Sequence, residues 1–186
     1  MLNLPPPDTT RKRKPASYKI TPADTQALKE LKALNLQYIN ANYTVDYPES
    51  FIHPYVINTA NGLTRCVIDW LKFDGQQGEN IKVKGTMVDG TKVVTDVMGS
   101  RRIVGSVSYQ KSTMTKGSAD ISGVIEGRAI RVEIKINSDR QSSDQKDYQH
   151  SVERAKGVYV IIKTLSGWRD WYQQFKSSLT VQKELF

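Results

Sequence analysis

Cysteine is nearly missing from this 186-residue chain: Cys66 stands alone. No internal disulfide can form, and no zinc site of about four clustered ligands can be built on thiolates. Histidine is almost as scarce, and His53 and His150 fall in no pattern of metal ligands. No apolar run approaches the roughly 20 residues of a membrane-spanning helix. The opening Met1–Pro7 has no apolar segment of the signal-peptide kind. With the lone cysteine, this makes a reducing cytoplasm the expected compartment. A Gly-x-x-x-x-Gly-Lys phosphate loop is also absent, so nucleotide-driven work is not expected. Negative charge is in deficit, with 19 Asp and Glu against 27 Lys and Arg, a net charge of +8. That balance suits a polyanion, and the missing apolar segments favour nucleic acid over a membrane surface.

The length allows one domain with a sizeable core and an added piece at one end. Residues 1–17 hold a proline run and Arg11-Lys12-Arg13-Lys14, with little to bury, and read as a disordered basic arm. Residues 18–57 read as a helical extension. Thr21-Pro22-Ala23-Asp24 has the form of a helix start, with Thr21 as cap and Pro22 at the first helical position. Residues 58–186 read as the main domain. Leu63, Val67, Ile68 and Leu71 recur at helical spacing between about Thr59 and Phe73, and Gly75 follows as a stop. Strand-like sequence runs from Ile81 to Val88, with a turn expected at Asp89-Gly90 and a return through Val93 to Val97. Met98 to Lys116 reads either as a loop or as a second hairpin over a ligand. A helix is expected from about Ser142 to Ala155. Val158-Tyr159-Val160-Ile161-Ile162 is then a nearly continuous apolar run, as in a strand covered on both faces. A last helix, about Ser166 to Leu179, places Trp168, Trp171, Tyr172, Phe175 and Leu179 on one stripe. Such a stripe suits core packing first and base stacking second.

The chemistry concentrates between Ile121 and Arg131 and in the runs on either side, Gly117-Ser118-Ala119-Asp120 and Val132-Glu133-Ile134-Lys135. If Glu126-Gly127 forms a two-residue turn between Ile125 and Arg128, Asp120 falls opposite Glu133. A bulge would shift this register by one. Alternation puts Lys135 on the same face as Glu133 and gathers Ile121, Ile125, Ile130, Val132, Ile134 and Ile136 on the other. Facing carboxylates repel, and a divalent cation between them removes the repulsion. Hydrolysing a phosphodiester needs the phosphate's charge neutralised, a water activated and the leaving oxygen stabilised, all of which Mg²⁺ can supply. Asp120, Glu133 and the Ile134 carbonyl are hard oxygen ligands of the right kind. Lys135 is a compact charge able to polarise the phosphate or position the water. Gln145 lies on the face of the following helix that should meet the sheet, near its start, where it can reach this site or be satisfied by backbone. Arg101, Arg102, Lys111, Lys116 and Ser118 are the expected contacts to phosphates.

Gly117-Ser118-Ala119-Asp120, Val132-Glu133-Ile134-Lys135, Ser142-x-x-Gln145 and Gly157-Val158-Tyr159-Val160 together resemble the VRR-NUC branch of the PD-(D/E)XK nucleases, over about Asn58 to Phe175. The resemblance implies an α/β fold of α-β-β-β-α-β-α order, with a central mixed sheet flanked by helices. It implies Mg²⁺ or Mn²⁺ held by Asp120 and Glu133, with Lys135 and Gln145 at the site, and endonucleolytic hydrolysis of DNA leaving a 5′-phosphate. Double-stranded or branched DNA is the implied partner, as junctions or flaps of phage or mobile-element recombination and repair, with a homodimer as the implied assembly. Family members often carry a Glu early in the first core helix, where this chain has Asn61, whose carbonyl can still hold a metal-bound water. The alternative is a catalytically idle DNA-binding module on the same scaffold, which Asn61 favours and the intact Asp120, Glu133 and Lys135 disfavour.

Overall fold

The computed structural model of the chain describes residues 18–81, 86–110 and 115–184. The expected basic arm and Lys111 lie outside the described residues.

Helix α1 spans Pro22–Asn42 and begins as its sequence predicts. The Thr21 hydroxyl accepts from the Asp24 backbone N–H at 3.1 Å, and the Asp24 carboxylate accepts from the Thr21 N–H at 3.1 Å. This reciprocal cap satisfies donors that a helix start otherwise leaves open. Ala27, Leu31 and Ile39 make its buried face, together with the polar Asp24 and Asn35. A short 3-10 turn, Pro48–Phe51, leads to α2, Ala60–Phe73. Thr59 caps α2 by accepting from the Gly62 N–H at 3.1 Å. Gly62 is required here, because a Cβ would lie 2.0 Å from the Val56 carbonyl oxygen of the incoming chain.

Among the described residues eight strands follow: β1 Gln77–Asn80, β2 Thr86–Asp89, β3 Lys92–Thr95, β4 Arg101–Val104, β5 Val107–Gln110, β6 Ile121–Ile125, β7 Arg128–Ile134 and, after helix α3 (Ser143–Arg154), β8 Val158–Ile162. Helix α4, Leu165–Glu184, closes the described chain. The main sheet has the order β1-β6-β7-β8 and is mixed: β1 and β7 run antiparallel to β6, and β8 parallel to β7. The parallel pair needs a crossover, which α3 supplies. Without β2 to β5, the order from α2 onward is helix, three strands, helix, strand, helix.

The inner face of the sheet carries Ile121, Ile125, Ile130, Val132 and Ile134, all buried. They join one core with Leu63, Val67 and Leu71 of α2, Ala27 and Leu31 of α1, and Leu165, Trp168 and Tyr172 of α4. Residues 18–57 therefore pack into the same core as the sheet. Helix α3 lies over the opposite face, where Arg131 and Glu133 of β7 meet its Tyr148 and Gln145. Trp168 is fully buried, and Trp171 and Phe175 stack on each other at 5.0 Å between ring centres, partly buried against the core. Among the described residues, no helix is long and apolar enough to cross a membrane.

Two expectations are corrected. The chain does not reverse at Asp89-Gly90. It runs on through β3 and reverses at Asp96–Ser100, so β2–β3 and β4–β5 form one long antiparallel ribbon. Thr86 pairs with Gln110, Asp89 with Val107, Lys92 with Val104 and Thr95 with Arg101, a single register throughout. The Asp89 carboxylate accepts from the Thr91 N–H and hydroxyl, a local contact across which the register continues unbroken. The second correction is β8, which among the described residues is an edge strand with one neighbour. Ile162 is buried and Ile161 is 36% exposed, so the apolar run is not covered on both faces.

Candidate active site

The site grows from a turn at the far end of its hairpin. Glu126 and Gly127 have φ of 48° and 84°, the two left-handed positions that a type I′ turn requires. Gln76 holds the non-glycine member in place: its side-chain oxygen accepts from the Glu126 N–H at 2.9 Å, and its amide donates to the Glu126 carboxylate at 3.1 Å. The turn therefore closes with no bulge. Ile125 pairs with Arg128 and Ile121 with Val132, which sets Asp120 opposite Glu133.

Asp120 is fixed on both sides. Its carbonyl accepts from the Ile81 N–H at 2.8 Å, and its Oδ2 accepts from the Ile134 N–H at 2.8 Å. Glu133 is 1% exposed. Its Oε1 accepts from Lys135 Nζ at 3.0 Å and from Gln145 Nε2 at 2.5 Å, and its Oε2 accepts from the Tyr159 hydroxyl at 3.4 Å. Lys135 also pairs with Asp139 at 3.3 Å. Gln145 serves twice: its side-chain oxygen accepts from the Ser142 N–H at 3.0 Å, completing the cap of α3. The cap aims the Gln145 amide at the site. Gly117 brings the preceding loop against the same helix start. Its φ is 78°, and a Cβ would lie 2.3 Å from the Asp144 carbonyl oxygen. Lys116 pairs with Asp144 at 3.0 Å beside it.

The charges are tuned by this packing. Burial, and then the charge of Asp120, push the Glu133 carboxyl above its ordinary value, against the pull of Lys135 and Tyr159. Burial lowers the Lys135 ammonium, but Glu133 and Asp139 outweigh it and hold its pKa above the ordinary value, so it stays charged at neutral pH. Burial and the Glu133 charge raise Tyr159, which keeps its hydroxyl a donor.

A divalent cation fits this donor set. Asp120 Oδ2 is taken by backbone; among the described residues no hydrogen bond reaches its Oδ1, and Glu133 Oε2 has only the long contact to Tyr159. Two hard oxygens thus face each other with their charge only partly balanced. Ile134 touches Asp120 through its N–H. Among the described residues no group of three or more His, Cys, Asp or Glu side chains is placed to hold a metal ion. Asn61, at the start of α2, lines a cleft of about 650 Å³ with Tyr55, Arg65 and Asn80, rather than touching either carboxylate.

The expected phosphate contacts divide. Arg101 and Arg102 stand on the ribbon, Arg102 within 3.7 Å of Asp96. Lys116 is exposed at the site's rim. Ser118 is only 8% exposed and donates its hydroxyl to the Thr115 carbonyl at 2.5 Å, so it faces inward and away from any phosphate. Tyr159 and Asp139 were missed by sequence reasoning. Tyr159 carried a signal, as a side chain with one polar tip inside an otherwise apolar strand. Asp139 lies in the loop after β7, where spacing says nothing about direction.

No family model matches this chain, and neither a curated protein nor a solved structure matches it.

Proposed function

We propose that this protein is a metal-dependent endonuclease that hydrolyses DNA phosphodiester bonds on a PD-(D/E)XK-type core. The observation that carries the reading is the meeting of Lys135 and Gln145 on the buried Glu133 carboxylate, with Asp120 opposite Glu133 in register and bonded to the Ile134 N–H. Asp120 and Glu133 would hold Mg²⁺ or Mn²⁺, which supplies neutralisation of the phosphate and activation of water. Lys135, charged and anchored by two acids, positions a positive group for the phosphate oxygens or the attacking water. Gln145 and Tyr159 orient Glu133 by donating to its two oxygens. The helix α3 start lies close by and adds its N-terminal dipole, which favours an anion. The basic balance of the chain, at +8, suits the same substrate.

One observation favours the idle-module reading: Oε1 of Glu133 is already engaged by Lys135 and Gln145, and among the described residues no group of three His, Cys, Asp or Glu is placed to hold a metal ion. Incubating supercoiled plasmid and a four-way junction with Mn²⁺ or with chelator separates the two. Metal-dependent nicking that disappears in Glu133→Ala and Lys135→Ala supports the nuclease. Tight binding of the junction without cleavage in any metal supports the module.

A further inference from the structure

The ribbon Thr86–Gln110 is the part of the molecule that the hydrolytic site does not use. Every one of its strand residues from Met87 to Gln110 is exposed, and none belongs to the core. An isolated two-stranded ribbon is marginal in water at best, so one this long has a partner to gain. Its base fixes where that partner lies. The ribbon leaves the sheet after β1 and rejoins it at β6, where the Ile81 N–H donates to the Asp120 carbonyl. It is therefore inserted at the end of the sheet that holds Asp120 and Glu133.

The outer end is built as a firm tip. Asp96 Oδ1 accepts from the Met98 and Ser100 N–H groups, both at 2.9 Å, and the Gly99 N–H donates to the Asp96 carbonyl at 3.0 Å. With the backbone satisfied, the side chains of Val97 and Met98 project outward, 103% and 86% exposed. Behind them stand Arg101, Arg102 and Lys92. The ribbon's two acids are both occupied: Asp89 by Thr91, and Asp96 by the tip amides and Arg102. At roughly 3.3 Å per residue, Thr86 to Thr95 extends about 30 Å. That is close to one turn of duplex DNA, about 34 Å.

We propose that this ribbon is a duplex-DNA arm, whose apolar Val97–Met98 tip enters a groove and wedges against the base pairs while Lys92, Arg101 and Arg102 hold the flanking phosphates. The inference rests on the nuclease reading for its choice of DNA as occupant. A two-stranded ribbon fits the major groove, and apolar side chains inserted at base steps locally unstack them. Phosphate contacts hold the register, and the tip supplies the distortion. The ribbon therefore assigns the substrate class as duplex extending about one helical turn from the cleaved bond.

The test uses the full chain and a duplex of about 30 base pairs carrying 2-aminopurine, titrated in chelator so that no cleavage is required. Wild type is expected to raise the fluorescence several-fold on binding. Val97→Ser/Met98→Ser is expected to bind without the rise. Arg101→Ser/Arg102→Ser is expected to lose about tenfold in affinity and about 2 in the log–log salt slope, since each neutralised phosphate contributes about 0.9. Both variants should melt with wild type, because neither touches the core. Unchanged fluorescence, affinity and salt slope in both variants would overturn the arm even where Mn²⁺-dependent cleavage is intact. A wild-type dimer in sedimentation that Val97→Ser/Met98→Ser dissociates, with DNA binding unaffected, would assign the ribbon to a second copy and also overturn it. Ribbon-dependent fluorescence in a protein that cleaves in no metal would uphold the arm while the nuclease reading falls.

Discussion

Glu133 is almost fully buried with a second carboxylate opposite it, and only one of its oxygens is well supplied with donors. Its carboxyl is raised above the ordinary 4.5, by burial first and by Asp120 second. The sign of the linkage follows: protonated Glu133 favours the folded state, and that contribution fades as pH rises from 4.5 through the raised value. At neutral pH the pair is under mutual repulsion. Asp120→Asn keeps the shape and the acceptor for the Ile134 N–H, so in chelator it should gain about 0.2–1 kcal/mol over wild type. Mn²⁺ should reverse the order, because a ligand bound only to the folded state stabilises by roughly 2.7 kcal/mol at a hundredfold excess over its dissociation constant. Thermal melts of both proteins, with chelator and with Mn²⁺, give the four midpoints; equal shifts in both would remove Asp120 as a ligand. Cys66 behaves in the opposite way to a reactive thiol. Burial, with Asp69 adding to it, pushes its pKa up to about 12. It should resist a thiol reagent at pH 8 in the native protein and react at once in denaturant; prompt native labelling would show that α2 opens readily.

Asp24 joins two elements that are distant in sequence. It caps α1, accepts from the Tyr18 hydroxyl, and accepts from the Ser166 N–H at 3.0 Å and hydroxyl at 2.7 Å in the first turn of α4. Burial disfavours its charge, but these donors outweigh burial and hold its carboxyl well below the usual range. A depressed pKa contributes stability above the unfolded value of 3.8 and loses it as pH falls below that. Asp24→Ala should destabilise by about 2–4 kcal/mol, a cap of about 1 plus about 1–3 for the buried donors left unmet. In urea titrations, the gap between wild type and Asp24→Asn should narrow from pH 5 to pH 3. The α1 half of this joint was legible as Thr21-Pro22-Ala23-Asp24, since caps are local. The link to Ser166 was not, because nothing in the chain between them encodes their meeting. The same division holds at the site. The Glu126-Gly127 turn and strict alternation gave the Asp120–Glu133 register, and Ser142-x-x-Gln145 gave the cap that aims Gln145. The ribbon was unreadable, because strands exposed on both faces lose the apolar alternation that sets register, and Asp89-Gly90 has the composition of a reversal. Val158–Ile162 misled through its apolar content, which does not tell how fully each face of a strand is covered.

At the scale of the molecule, α1, α2, the four-stranded sheet and α4 share one core, while the ribbon shares none of it. Stability should therefore come in two levels. Trp168, fully buried among Trp171 and Tyr172, is the place to probe the upper level. Trp168→Ala should destabilise by roughly 3–5 kcal/mol, as for other large aromatics removed from a core. Its indole N–H has no hydrogen-bond partner among the described residues, so it is buried unsatisfied. Trp168→Phe removes that donor along with part of the volume and should destabilise far less than the alanine change. Because the core is continuous, circular dichroism and fluorescence should report one midpoint for each variant. Native-state hydrogen exchange separates the levels. Amides of Val132 and Ile134 in β7 should exchange through global unfolding and speed up in proportion to the stability lost in Trp168→Ala. Amides of Val94 and Arg102, a hydrogen-bonded pair of the ribbon by its register, should exchange through local opening of the ribbon and show the same rates in wild type and variant. Duplex DNA in chelator should then slow the ribbon amides first. If Trp168→Ala accelerates ribbon and sheet alike, the ribbon is coupled to the core, and its exposure in the free protein is no measure of its independence.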